Sequence, residues 1–261
     1  MAKVLDIKNL SISFGGLKAV DDLSFSIERG EIYGLIGPNG AGKTTVFNCI
    51  TQFYKADSGS ILFTDKEGVT HDMTKLPVHK IIRLGLVRTF QNTEVIRDLT
   101  VIDNILLGAH SQFSSGVISD MFRLPFARKQ EKEKRRMAME VLDYIGLSHM
   151  AYEMAGAQPY GVLKLIELGR TLMCNPSLII LDEPAAGLND TETESLMVLI
   201  RQISKDYNCS ILVVEHDMRL VMGICDRICA ISFGKMLAEG CTTDIQNNQA
   251  VQDAYLGKED A

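Results

Sequence analysis

Eight consecutive residues constrain this chain more than any others. Gly37, Pro38, Asn39, Gly40, Ala41, Gly42, Lys43 and Thr44 fit G-x-x-x-x-G-K-[ST], and Thr45 follows. At average composition a chain of this length carries that pattern by chance about one time in a hundred. A short apolar run, Ile32 to Ile36, enters the turn, and a helix-compatible stretch leaves it through Ile50. Strand, glycine-rich turn and helix together form the setting in which backbone N–H groups converge on phosphate oxygens. Gly37, Gly40 and Gly42 keep side chains out of that cradle, and the helix start adds partial positive charge. Lys43 brings an ammonium to the β- and γ-phosphates, and the Thr44 hydroxyl is placed to reach Mg2+. A plain strand–helix turn is the competing reading of these residues.

A second element supports the first. Leu178 to Leu181 reads as a buried strand and runs into Asp182, Glu183 and Pro184. A carboxylate at the tip of a buried strand is costly unless a cation or hydrogen bonds compensate it. If the strand continued, Asp182 and Glu183 would face opposite ways, so their tasks would differ. The division expected is that Asp182 orders the Mg2+ shell while Glu183 positions an attacking water. Taken alone, such a pair is an ordinary turn; the phosphate-binding loop upstream gives it chemical meaning.

The rest of the chain frames these two elements. At 261 residues it is one large domain or two small ones. Period-two alternation marks strands at Leu5–Ile7 and at Leu23, Phe25 and Ile27, and helical segments follow at Val101–Gly108 and Glu131–Ile145. In the latter, Ala138, Val141, Leu142 and Ile145 share a face. Thr191–Asp206 reads as an amphipathic helix, and Ile211–Val214 and Arg227–Phe233 as strands. The pattern is parallel α/β with an antiparallel opening sheet and a helical insert. A net charge of −6 argues against a bulk nucleic-acid binder. The longest uncharged run, Asn104 to Ser119, is broken by His110, Ser111, Gln112, Ser114 and Ser115, so no span of a bilayer is expected. The amino terminus interleaves charges with apolar residues, unlike a secretory signal, so reduced thiols in the cytosol are expected. The six cysteines lack a metal-binding framework; even Cys225 and Cys229 have no second pair. The mixed-sign run Arg128–Arg136 reads as a solvated helix face.

Taken in order, these residues resemble the ATP-binding cassette family over almost the whole chain. Asp182-Glu183 with Ala185-Ala186-Gly187-Leu188-Asn189 is similar to that family's Walker B and D-loop. His216, after Glu215, stands where the family keeps its switch histidine, and Gln91 in Val87-Arg88-Thr89-Phe90-Gln91 resembles the Q-loop glutamine. Phe14, before Gly15-Gly16, occupies the place of the aromatic that stacks on adenine. The resemblance implies an α/β fold: a P-loop NTPase (RecA-like) core with an antiparallel β subdomain and an inserted α-helical subdomain. Within a single domain, 1–84 would hold the β subdomain and first part of the core, and 85–160 the helical subdomain. Residues 161–240 would complete the core, and 241–261 would form a short helical extension.

Several stretches are similar to the ATPase subunits of branched-chain amino acid importers: Phe14–Val20, Val87–Asn92, Glu183–Asn189, Val214–Met218, Arg219–Gly223 and Ala254–Gly257. That resemblance implies ATP and Mg2+ as ligands, with Thr44, Gln91 and Asp182 around the metal. It also implies a second ATPase subunit, paralogous or identical, packed head to tail, two permease chains, and an extracytoplasmic binding protein acting indirectly. No nucleic acid is expected as a partner, and the place implied is the cytoplasmic face of the membrane. Asn92–Thr100 is the candidate groove for a permease coupling helix. Two rivals stay open: an exporter ATPase of the lipopolysaccharide type, and a cassette protein acting on nucleic acid or ribosomes.

One stretch departs from the pattern. The family signature Leu-Ser-Gly-Gly-Gln corresponds here to Gln158-Pro159-Tyr160-Gly161-Val162. Pro159 removes a hydroxyl and an N–H that could touch a γ-phosphate, although proline suits a helix start. Pro159, Tyr160 and Gly161 are expected to form a weakened but usable signature that acts on ATP held by the partner subunit.

Overall fold

The alternation read near the amino terminus becomes two long strands, β1 (Lys3–Phe14) and β2 (Leu17–Glu28), paired antiparallel with Ile7 opposite Phe25. Leu5, Ile7, Leu23 and Ile27 are fully buried on the inner face, whereas Lys8 and Ser24 face solvent. β4 (Ser58–Thr64) and β5 (Thr70–Asp72) complete a sheet ordered β2-β1-β4-β5. The computed structural model describes residues 2–89, 94–109 and 125–256. The chain forms two units, Met1–Arg88 with Ser177–Ala261 and, separately, Thr89–Pro176.

A second sheet in the first unit comprises β3 (Ile32–Ile36), β6 (Leu86–Arg88), β7 (Leu178–Asp182), β8 (Ser210–Val214), β9 (Arg227–Ser232) and β10 (Lys235–Gly240). Its order is β10-β9-β3-β8-β7-β6, parallel throughout except for β10 at one edge. Every residue of β3, β7 and β8 is buried, as expected of parallel strands covered on both faces. α1 (Lys43–Ile50) follows β3, and the short α2 (Val78–Ile81) precedes β6. Tyr33, Leu35, Val46, Ile50, Leu178 and Leu212 join Leu5, Ile7 and Phe63 in one apolar core, so the two sheets stabilise each other.

The second unit holds α3 (Val101–Gly108), α4 (Pro125–Tyr144) and α5 (Tyr160–Leu172). Ala138, Val141 and Leu142 are buried on the expected face of α4, and Ile145 is buried just past its end. Asn104, with no exposed surface, accepts from Ile96 N–H and donates to the Ile96 and Thr100 carbonyls, pinning the segment before α3. α4 begins at Pro125, earlier than the periodicity at Glu131 suggests, because the charged run Arg128–Arg136 interrupts any apolar periodicity before Ala138. The Arg128–Arg136 run lies on this helix, and Arg136 bridges Glu133 and Glu140 on the solvated side. α5 differs in its grouping from the expected boundary at residue 161. It packs on α3 and α4, and so belongs with the helical unit rather than with the second part of the core.

Past β7, the first unit adds α6 (Asp190–Asp206), α7 (Met218–Ile224), α8 (Thr242–Gln246) and α9 (Gln249–Leu256). Among the described residues, no helix is long and apolar enough to cross a membrane.

Candidate nucleotide site

Register decides which residues meet. Leu35 of β3 pairs with Val214 of β8, and Val214 pairs with Asp182 of β7. The carboxyl ends of the three strands therefore lie abreast. Gly37, Glu215 and Glu183 follow them immediately, at the sheet edge where open α/β proteins bind ligands. The phosphate-type loop is wedged in by contacts only glycine allows. A Cβ on Gly37 would fall 2.2 Å from the Ile231 carbonyl oxygen. At Gly42 the backbone is left-handed (φ +102°), and a Cβ would lie 2.5 Å from the Ala19 oxygen. Gly42 caps α1 with no side-chain hydrogen bond, which leaves the first amides of the helix open to an anion.

Lys43 is buried, and its ammonium donates to the carbonyls of Gly37 at 2.6 Å and Pro38 at 3.0 Å. Burial pushes its pKa down, and the charges of Glu183, Asp182 and Glu215 push it back up. The cation thus spans its own loop and faces three carboxylates. Thr44 is exposed at the first turn of α1, and Thr45 is half-buried behind it. The Thr44 hydroxyl and Asp182 carboxylate are hard oxygen donors of the kind Mg2+ takes. Among the described residues, no group of three or more His, Cys, Asp and Glu side chains could hold a metal by itself. Two such oxygen donors fit a cation that takes its other ligands from phosphate oxygens and water.

The strand-continuation premise about Asp182 and Glu183 does not hold. β7 ends at Asp182, and Glu183 turns into the left-handed region (φ +46°) with its N–H donating to the Val214 oxygen at 2.8 Å. The two carboxylates are separated by this turn instead of by the pleat. His216 is mostly exposed, with Nδ1 3.6 Å from Glu183 Oε1 and 3.5 Å from Glu215 Oε2.

Glu215, to which the sequence assigns no role beyond preceding His216, organises the region. It is 1% exposed; one oxygen accepts the Ala185 N–H and the other accepts those of His216 and Asp217. The signal was present: a carboxylate directly after the apolar run Ile211–Val214 raises the same burial question as Asp182. Asn189 is the N-cap of α6. Its side chain accepts from Glu192 N–H while Glu192 accepts from Asn189 N–H, forming a capping box.

Phe14 sits at the end of β1, half-exposed and edge-on to Tyr54 with ring centroids 5.2 Å apart. Gln91 lies outside the described residues, as do the first residues of the Asn92–Thr100 groove. In the second unit, Pro159 caps α5 and its carbonyl accepts the Leu163 N–H at 3.1 Å. Tyr160 and Gly161 form the first turn, so the helix start is kept despite the proline. Cys225 and Cys229 are buried thiols pushed up to about 12, chiefly by burial.

The family described as ABC transporter matches residues 20–186, from within β2 to just past Glu183. The chain belongs to this family. It is thus an ATP-binding-cassette ATPase, with hydrolysis coupled to transport. A second family, the branched-chain amino acid ATP-binding cassette transporter, matches residues 235–261 of the cassette. The cassette is 43% identical over 255 residues to LivG of Escherichia coli, a high-affinity branched-chain amino acid transport ATP-binding protein. It is 40% identical to BraF of Pseudomonas aeruginosa, of the same description; both alignments cover 98% of each chain. A solved ATP-binding cassette of an ABC transporter in its ADP conformation has a TM-score of 0.84 at 30% identity, covering 98% of this chain and 100% of that one.

Proposed function

We propose that this cassette drives an importer of branched-chain amino acids, hydrolysing ATP between two cassettes that meet head to tail. The observation that carries the reading is the convergence of Lys43, Asp182, Glu183 and Glu215 at the ends of three adjacent parallel strands. The cargo class rests on full-length similarity to LivG and BraF. In this account Gly37, Pro38, Asn39, Gly40, Ala41 and Gly42 present amides to the phosphates. Lys43 shifts its ammonium from the loop carbonyls to the β- and γ-phosphate oxygens, and Thr45 supports the helix start. Phe14 offers its ring to adenine.

Thr44, Asp182 and Gln91 would hold Mg2+, which when bound neutralises phosphate charge. Glu183 accepts a proton from, and orients, the attacking water; His216 positions that water against the γ-phosphate. Positioning and charge supply most of what phosphoryl transfer needs. Pro159, Tyr160 and Gly161 of one cassette would close over ATP held by the other, with Asn189 at the joint. Two permease chains would receive the motion near Asn92–Thr100, and an extracytoplasmic binding protein would deliver cargo. The cassette would then sit peripherally on the cytoplasmic face of the membrane.

Reconstitution with its permeases in vesicles tests this reading. ATP hydrolysis is expected to rise when a leucine-loaded binding protein is added outside, and leucine is expected to accumulate inside. ATP turnover that ignores branched-chain cargo would overturn the substrate assignment.

A further inference from the structure

Phe14 stands at the tip of the first hairpin, opposite Leu17 across Gly15 and Gly16. Two residues further along β2, the Ala19 carbonyl oxygen lies against Gly42, 2.5 Å from where a Cβ would sit. At about 3.3 Å per strand residue, Leu17 is roughly 7 Å along the strand from that contact. The hairpin tip is thus within reach of a base whose triphosphate lies in the loop.

The ring that meets Phe14 comes from another element. Tyr54 lies in the turn after α1, and the two rings meet edge to face, with centroids 5.2 Å apart and planes at 70°. That turn is fixed at both ends. The Tyr54 N–H donates to the Asn48 carbonyl of α1 at 3.1 Å, and Gln52 Nε2 donates to that of Cys49 at 2.7 Å. On its far side the Asp57 N–H donates to the Ser11 carbonyl at 2.9 Å, and Asp57 Oδ2 accepts the Ser13 N–H at 2.8 Å. The helix that leaves the phosphate loop therefore carries Tyr54 to the strand end that carries Phe14. Its neighbour Phe53 faces elsewhere, with the Arg88 guanidinium 4.4 Å from the ring centre. Phe14 and Tyr54 both keep more than a third of their surface exposed, so their pairing is no core contact. We propose that Tyr54 is a positioning residue for the base of ATP: its ring holds the Phe14 ring in one orientation, ready to stack on adenine, and ties it to the helix behind the phosphates. This rests on Phe14 being the ring that takes the base.

Tyr54→Phe keeps the ring, Tyr54→Leu removes it, and Phe14→Leu removes its partner. Calorimetry with the full-length chain compares Mg-ATP with Mg-tripolyphosphate, which shares the phosphates and lacks the base. Tyr54→Leu is expected to weaken Mg-ATP binding about 2–10-fold, the scale of one aromatic pair, and to leave tripolyphosphate binding unchanged. Tyr54→Phe is expected to bind both as the wild type does. The double variant, Tyr54→Leu with Phe14→Leu, is expected to bind Mg-ATP no worse than Phe14→Leu alone, because the tyrosine acts through that ring. Equal losses for both ligands would overturn the proposal, since a displaced turn would then be disturbing the phosphate loop itself. So would wild-type affinity in Tyr54→Leu beside a weakened Phe14→Leu, a loss in Tyr54→Phe, or losses that simply add. Wild-type affinity in Phe14→Leu would instead remove the adenine reading of Phe14, and the proposal with it.

Discussion

Glu183 leaves the β ladder in a left-handed conformation that costs a side-chain-bearing residue roughly 1–2 kcal/mol. Strain of that kind persists where surrounding contacts over-determine it, here the Val214 carbonyl and the neighbouring Glu215 brace. Glu183→Gln keeps the turn but removes the proposed base. Turnover by the assembled transporter should fall roughly 10²–10⁴-fold while ATP binding survives; near-normal hydrolysis would refute the assignment. Glu215→Gln should act differently. It puts an amide donor where one carboxylate oxygen accepts an N–H, so it should lower unfolding stability by roughly 1–3 kcal/mol in a denaturant titration. A variant as stable as the wild type would contradict the bracing role. The difference between these acids was only half legible. Asp182 and Glu183 stood out by the residues around them, whereas Glu215 shares its apolar run with nothing that names its three amide partners.

At the scale of elements, Ile32–Ile36 became β3 unchanged, whereas the expected strands Leu178–Leu181 and Ile211–Val214 each extend by one polar residue, Asp182 and Ser210, and Arg227–Phe233 ends one residue early at Ser232. Val101–Gly108 likewise became α3, since Thr100 caps it with its hydroxyl accepting the Asp103 N–H. The start of α4 was hidden because the charged run Arg128–Arg136 carries no apolar periodicity. Cap chemistry gives a direct check on α6. Asn189→Ala removes half of the capping box and should cost about 0.5–2 kcal/mol of stability. At α5 the prediction concerns function. Replacing Pro159 by Ser and Val162 by Gln restores hydrogen-bonding groups to the helix start, and should raise ATP turnover of the transporter. Unchanged turnover would mean that Tyr160 and Gly161 suffice.

For the whole molecule, the parallel order of the second sheet follows from buried strands alternating with helices, and the pairing of β1 with β2 from simple alternation. The grouping of α5 with the helical unit could not be read from chain order, since it depends on which faces pack. The cysteines report on how closed the folded chain is. Cys49, Cys209, Cys225 and Cys229 are buried, with thiols pushed up to between about 11 and about 12, whereas Cys241 is exposed. At pH 8 a thiol with a pKa near 12 is about one part in 10⁴ thiolate, against roughly a quarter for an ordinary cysteine. Iodoacetamide should modify Cys241 first and reach these four only after denaturant is added.

Titration calorimetry of Mg-ATP into the full-length chain and into Lys43→Ala tests most directly whether the loop before Lys43 cradles a triphosphate. One saturating site in the wild type, weakened more than about tenfold without the ammonium, is the result predicted. A folded wild type that gives no heat, or a Lys43→Ala protein that binds equally well, would contradict it.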